Sequence, residues 1–109
     1  MIEAGVRLIG NVYLGPNVSI SAPAELMAKH SQITIGGECD IAAFVTITTA
    51  DSHKRCLGLS SVVERREVVL EDHVFVGQGA IILGGTRIGH HSVIGAGVAA
   101  LWDAMFPDQ

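Results

Sequence analysis

The sequence predicts an all-β solenoid, a chain wound through six-residue units of short strand and turn, and three observations carry that prediction. Valine and isoleucine (12 and 11 residues) far outnumber leucine (8), and β-branched side chains lose rotamer freedom in helices but suit strands. The stretch Leu70–Ala99 divides without remainder into five units, LEDHVF, VGQGAI, ILGGTR, IGHHSV and IGAGVA. Glycine supplies 13 of the 109 residues, about 12% against a usual share of about 7%, and it stands second in three of the five units.

In these units the first residue is aliphatic (Leu70, Val76, Ile82, Ile88, Ile94) and the fifth is small or β-branched (Val74, Ala80, Thr86, Ser92, Val98). A period of six matches neither the 3.6 residues of a helix nor plain alternation. Each unit therefore reads as a strand followed by a turn that resets direction, and three units close a triangular coil. The first side chain points into the prism, the fifth is small because it sits near a corner, and second-position glycine is expected to supply the positive φ of a tight turn.

Along the chain the same unit starts at Leu8, Leu14 and Ile20, then again at Ile35, Ile41 and Ile47, with His30 where the register slips between the two runs. The expected coils span about 8–52 and 70–99 of one domain. Between them, His53 to Val69 breaks the pattern, and an excursion of that length from a regular solenoid points to function. It carries Lys54, Arg55, Arg65 and Arg66 against Glu64 and Glu67, and so reads either as a solvated loop or as a positive arm on an otherwise acidic chain, reaching across to a neighbouring subunit to meet an anionic ligand. The coil pattern stops at Ala99, and from Val98 on the residues Val98, Leu101, Trp102, Met105 and Phe106 follow helical spacing, which predicts a short helical cap over 100–109. So thin a prism is marginal alone, and a homo-oligomer, most simply a trimer, is expected.

Composition excludes several classes. A net charge of −4 and a pI near 5.6 leave no basic stripe for nucleic acid. The apolar run from Ile88 to Trp102 is too short and too rich in Gly and His to span a bilayer, and Met1–Asn11 carries Glu3 and Arg7 where a signal peptide needs an apolar block; a cytoplasmic protein without membrane partners is expected. Cys39 and Cys56 have no framework spacing and read as reduced thiols. No metal site is predicted, because no histidine pair has ligand spacing and His90 and His91, as neighbours, are expected to point to different places.

The candidate chemistry sits where a coil gives way to the excursion, in Thr49-Ala50-Asp51-Ser52-His53. Asp51 and His53 are two apart and share a side of an extended segment, and Asp51 is a carboxylate in a fifth position that elsewhere is small. A carboxylate beside an imidazole fixes its tautomer and raises its basicity; equally, Asp51 can serve a turn amide. His73, His90 and His91 fall at third and fourth positions, read as outward-facing corners.

The stretch Ile35-Gly36-Gly37-Glu38-Cys39-Asp40-Ile41, then Val45-Thr46-Ile47, His53, the charged loop, Glu71-Asp72-His73-Val74-Phe75-Val76-Gly77 and Ile88-Gly89-His90-His91-Ser92-Val93-Ile94-Gly95-Ala96-Gly97 resembles the hexapeptide-repeat acyltransferases, in particular the sugar and polysaccharide O-acetyltransferases. The resemblance implies a left-handed parallel β-helix, against the usual right-handed crossover, and a trimer with active sites between subunits. It implies that His53 is the general base, that acetyl-CoA is the acyl donor and that Gly79, Ala80, Ala96 and Gly97 line the pantetheine groove. The family usually continues past the last coil with a Thr-Lys-Asp and a Pro-rich tail, where this sequence has Leu101-Trp102-Asp103 and stops at Gln109; Ala24 stands where galactoside and maltose acetyltransferases carry an acceptor-binding Asn. The implied reaction is acetyl transfer to a hydroxyl of a saccharide or other small acceptor, with His53 and Asp51 as catalytic residues. The reading of a different class is a noncatalytic trimer serving as an assembly scaffold.

Overall fold

The computed structural model describes residues 1–51, 57–58, 64–100 and 105–106. The strands are β1 (Arg7–Leu14), β2 (Ser19–Ile20), β3 (Glu25–Ile35), β4 (Asp40–Ile41), β5 (Thr46–Thr48), β6 (Ala50–Asp51), β7 (Glu64–Arg65), β8 (Val68–Leu70), β9 (Phe75–Val76), β10 (Ile81–Ile82), β11 (Arg87–Ile88), β12 (Val93–Ile94), β13 (Ala99–Ala100) and β14 (Met105–Phe106). All pair in parallel except β6 with β7. Among the described residues there is no helix.

The pairing builds a prism with three sides. The first side stacks β2, β4, β9 and β12, with Ile2 bridged to Ile20. The second stacks the first halves of β1 and β3 with β5, β10 and β13; the third stacks their second halves with β8, β11 and β14. Each coil visits the three sides in turn, and backbone ladders tie it to the next, as in Ser19 N–H to Cys39 O at 2.9 Å, Asp40 N–H to Val74 O at 3.0 Å and Phe75 N–H to Ser92 O at 3.0 Å. This is the parallel β-solenoid that the repeat predicts.

The hexad logic explains the interior. First-position Ile20, Ile35, Ile41, Ile47, Leu70, Val76, Ile82, Ile88 and Ile94 are buried, as are fifth-position Val18, Ala24, Cys39, Val45, Val74 and Ala80. Burying each large aliphatic side chain is worth about 1.5–3 kcal/mol. The buried hydroxyls of Thr49 and Ser92 donate to Lys29 O at 3.1 Å and Gly89 O at 2.6 Å, so neither is left costly and unpaired.

Four expectations are corrected. The positive φ belongs to the fourth position of the unit, not the second: Asn17, Glu38, Phe44, His73, Gly79, Gly85, His91 and Gly97 all lie there with φ between 57° and 86°. Second-position Gly15 and Gly77 answer a different demand, since a Cβ on Gly77 would stand 2.6 Å from Ala96 N and one on Gly15 2.6 Å from Gly37 N; they let successive coils approach. The expected helical cap over 100–109 contributes strands instead, Ala99–Ala100 on Ile81–Ile82 and Met105–Phe106 on Arg87–Ile88. Those pairings satisfy the open edges of β10 and β11, which a helix would leave bare; residues 101–104 and 107–109 lie outside the described residues. The span expected as excursion, 53–69, is already strand at Glu64–Arg65 and Val68–Val69. Finally, Leu8 keeps inward register opposite Leu26 but is 43% exposed, because it belongs to the end coil and has no coil beneath it.

The register slip near His30 is an insertion. Gly10 pairs with Ala28 but Asn11 pairs with Gln32, so Lys29, His30 and Ser31 bulge out of β3, with His30 at φ 60°. The prism therefore has three edges with distinct contents. Edge one-two, between the first and second sides, carries Phe44, Gly79 and Gly97. Edge two-three carries the bulge and the excursion, and edge three-one carries Asn17, Glu38, His73 and His91.

Candidate functional site

The excursion leaves from edge two-three and is closed at its base. Thr49 donates its N–H to Met27 O at 3.1 Å and accepts from Arg66 N–H at 3.0 Å, while Thr48 Oγ1 accepts from Ala50 N–H at 3.2 Å. Ala50 and Asp51 then pair antiparallel with Arg65 and Glu64 in a two-stranded sheet separate from the prism. Glu67 O accepts Gly85 N–H at 2.9 Å and returns the chain to the next coil's edge. The stem thus starts and ends the excursion at neighbouring points. His53, Lys54, Arg55 and Cys56 lie outside the described residues, and Asp51 is placed by its backbone in the last pair of the stem, opposite Glu64. Leu57, within the excursion, is 71% exposed.

The four small residues expected to line a groove do not share one environment. Gly79 and Gly97 stack one coil apart on edge one-two, where a Cβ on either would meet only open space, and Ala96 is exposed beside Gly97. Gly79 donates to Ala43 O at 3.1 Å and Gly97 to Gln78 O at 3.0 Å, so that edge is a track tied coil to coil through the backbone, beside Phe44, which is 60% exposed. Ala80 is fully buried and fills the coil interior. The track and the excursion stem occupy different edges, at the two ends of the second side.

A third feature was not read from the sequence as a site. On edge three-one, a groove of about 470 Å³ runs past Glu71, Asp72, His73, Arg87, His90 and His91. The imidazoles of His73 and His91 stack at 4.6 Å between centroids, and His90 Nδ1 lies 2.9 Å from His91 Nδ1. The expectation that His90 and His91 diverge is therefore corrected: the left-handed φ of His91 (58°) folds consecutive side chains toward each other. The usable signal was the histidine pair at third and fourth positions, where the backbone turns over. Glu71 accepts from the Arg87 guanidinium and from His90 N–H at 3.0 Å; these bonds hold its carboxyl below the ordinary range. Asp72 Oδ1 accepts Gly37 N–H at 2.8 Å and clamps the coil below. Among the described residues no group of three or more metal-ligating side chains forms, and no helix is long and apolar enough to cross a membrane.

Stacked parallel hexads, buried aliphatic ladders and one stemmed excursion define a hexapeptide-repeat solenoid. Residues 67–99 match the family described as bacterial transferase hexapeptide (six repeats). The chain is 33% identical over 93 residues to a galactoside O-acetyltransferase of Lactococcus lactis, a match covering 80% of this chain and 42% of that protein; the chain thus spans less than half of this curated relative. Its fold is that of AntD, an N-acyltransferase from Bacillus cereus seen in complex with dTDP-4-amino-4,6-dideoxyglucose and coenzyme A (TM-score 0.82, 23% identity, 98% of this chain and 61% of that chain). It also resembles the polySia specific acetyltransferase NeuO (TM-score 0.69, 25% identity, 86% of this chain and 46% of that chain).

Proposed function

We propose that the protein is a coenzyme A-dependent acyltransferase that moves an acetyl group from acetyl-CoA to a hydroxyl of a saccharide. The observation that carries this reading is the stemmed excursion: β6 and β7 fix both ends of a loop whose second residue past the stem is His53. The likeness to the Lactococcus lactis galactoside O-acetyltransferase supports the reaction class, and the coenzyme A complex of the Bacillus cereus neighbour supports the donor.

In this reading the neutral His53 imidazole takes the proton of the acceptor hydroxyl as its oxygen attacks the thioester carbonyl. The tetrahedral intermediate collapses, the C–S bond breaks, and the imidazolium returns the proton to the leaving thiolate, giving an acetyl ester and free coenzyme A. An ordinary histidine pKa of about 6.5 suits a base at neutral pH. Asp51 acts as the positioning residue that orients the ring. Gly79, Ala96 and Gly97 offer a track without side-chain obstruction for the pantetheine arm, and Ala80 supports it from within.

Because the track and the stem lie on different edges of one prism, the site is completed between two copies, as in a trimer. Exposed apolar residues at outward positions favour such an assembly: Phe75 at 42% and Val93 at 71% on the first side, Ile81 at 44% on the second. Sedimentation is expected to give three chains per particle at micromolar concentration, and a stable monomer would remove the intersubunit site. Thiol release from acetyl-CoA with a panel of saccharide acceptors is expected to fall about 10²–10⁴-fold in His53→Ala. Release unchanged by that substitution excludes His53 as base, and no acetyl-CoA binding by calorimetry leaves the noncatalytic scaffold.

A further inference from the structure

We propose that His90 and His91 form a two-point chelate for a divalent transition-metal ion that favours right-angled coordination, Ni²⁺ or Cu²⁺, on edge three-one. The site is separate from the excursion and from the glycine track.

The carrying observation is the 2.9 Å between the two Nδ1 atoms. With metal–nitrogen bonds of about 2.1 Å, two ligands at 90° sit about 3.0 Å apart, and two at the tetrahedral angle about 3.4 Å apart. The observed spacing is thus the cis spacing of tetragonal or octahedral geometry, which Cu²⁺ and Ni²⁺ adopt and structural Zn²⁺ does not. Without a metal one Nδ1 donates its proton to the other; the metal lies off the line between the two nitrogens, and both lone pairs are free for it once that imidazole carries its proton on Nε2 instead.

Three further features suit the role. His91 is held on the left-handed turn of its unit, so the ligand is oriented before binding. The backbone N–H of His90 is fixed by Glu71, so the second ligand is tied to the same corner. Glu71 and Asp72 place two carboxylates in the groove against Arg87, a balance that favours a cation. Water would supply the remaining ligands.

Calorimetric titration of the full chain with NiCl₂ tests the assignment. The expected result is one Ni²⁺ per chain, bound more tightly than Zn²⁺, with affinity reduced at least about tenfold in His90→Gln and in His91→Asn, since a chelate that loses one arm keeps only a single imidazole. Asn tolerates the left-handed turn, so His91→Asn retains the coil. His73→Asn, which removes a ring that only stacks, is expected to bind like the wild type. Electron paramagnetic resonance of the wild-type protein with one equivalent of Cu²⁺ supplies a readout independent of any variant, with hyperfine coupling to two imidazole nitrogens expected. The proposal is overturned by absence of saturable Ni²⁺ binding at millimolar metal, by wild-type affinity in both dyad variants, by equal loss in His73→Asn, or by coupling to a single nitrogen.

Discussion

Two glycines two residues apart, Gly77 and Gly79, make opposite demands on the chain, and replacing each by alanine separates the two forces that shape a coil. At Gly77 the backbone φ lies outside the left-handed region, but a Cβ would stand 2.6 Å from Ala96 N and 2.8 Å from Ile94 O. That is about 1 Å inside the usual contact separation of about 3.5–4.0 Å. Both obstacles are main-chain atoms of the next coil, so relief requires the coils to part. We expect a loss of about 3 kcal/mol, the upper part of the range for overpacking. At Gly79 nothing lies within 4 Å of the new Cβ, but φ is 77°. The left-handed conformation costs about 1–2 kcal/mol with a side chain, offset by about 0.4–1 kcal/mol from a stiffer unfolded chain, leaving a net loss of about 1 kcal/mol. At about 4–8 °C per kcal/mol for a domain of this size, thermal unfolding followed by circular dichroism should drop by about 12–24 °C for Gly77→Ala and about 4–8 °C for Gly79→Ala. Asparagine, which accepts left-handed φ, should restore Gly79 most of the way and harm Gly77 further. A Gly79→Ala loss equal to or larger than that of Gly77→Ala, or a tolerated Gly77→Asn, would refute the division of roles.

Two titrations extend the reasoning. The Glu71 carboxyl, held low by Arg87 and then by His90 N–H, contributes stability above its unfolded pKa and loses it as pH falls through the lower folded value; Arg87→Met should move its titration upward by NMR, and an unmoved midpoint contradicts the pairing. The Cys39 thiol is pushed up, first by burial, and its Sγ donates to Glu71 O at 3.2 Å. In a Cys56→Ser background, Cys39 should therefore resist thiol reagents at pH 8 until urea unfolds the prism, and native labelling at the unfolded rate contradicts its burial.

The regular part of the fold was legible because the repeat writes its own inside and outside: every first-position residue from Leu70 to Ile94 is buried. The C-terminal strands were hidden because the first position after Ile94 is Ala100, too small to announce a core residue, while Leu101, Trp102, Met105 and Phe106 also satisfy helical spacing. Pairing decided between the two patterns, and pairing is a property of the neighbouring coil rather than of the segment itself. The same limit explains the glycines. Composition shows that a glycine is needed, but only the distance to the adjacent coil says whether φ or space is the reason. At the candidate sites, the sequence marked His53 by its place at the end of a coil. It missed His90 and His91 because their convergence depends on a backbone turn, not on spacing.

The antiparallel stem of β6 and β7 has a consequence for how such a chain can change. Ile47 meets Ile82 and Ile35 meets Leu70 in unbroken register on either side of the excursion, so the stack is set by neighbours across the ladder and is blind to what the stem encloses. Lengthening the enclosed loop costs only about 0.6 kcal/mol for each doubling. The solenoid and the segment bearing His53 are in this sense written in separate registers of the sequence: one under strict six-residue discipline, the other free to change in length and composition without disturbing a single coil.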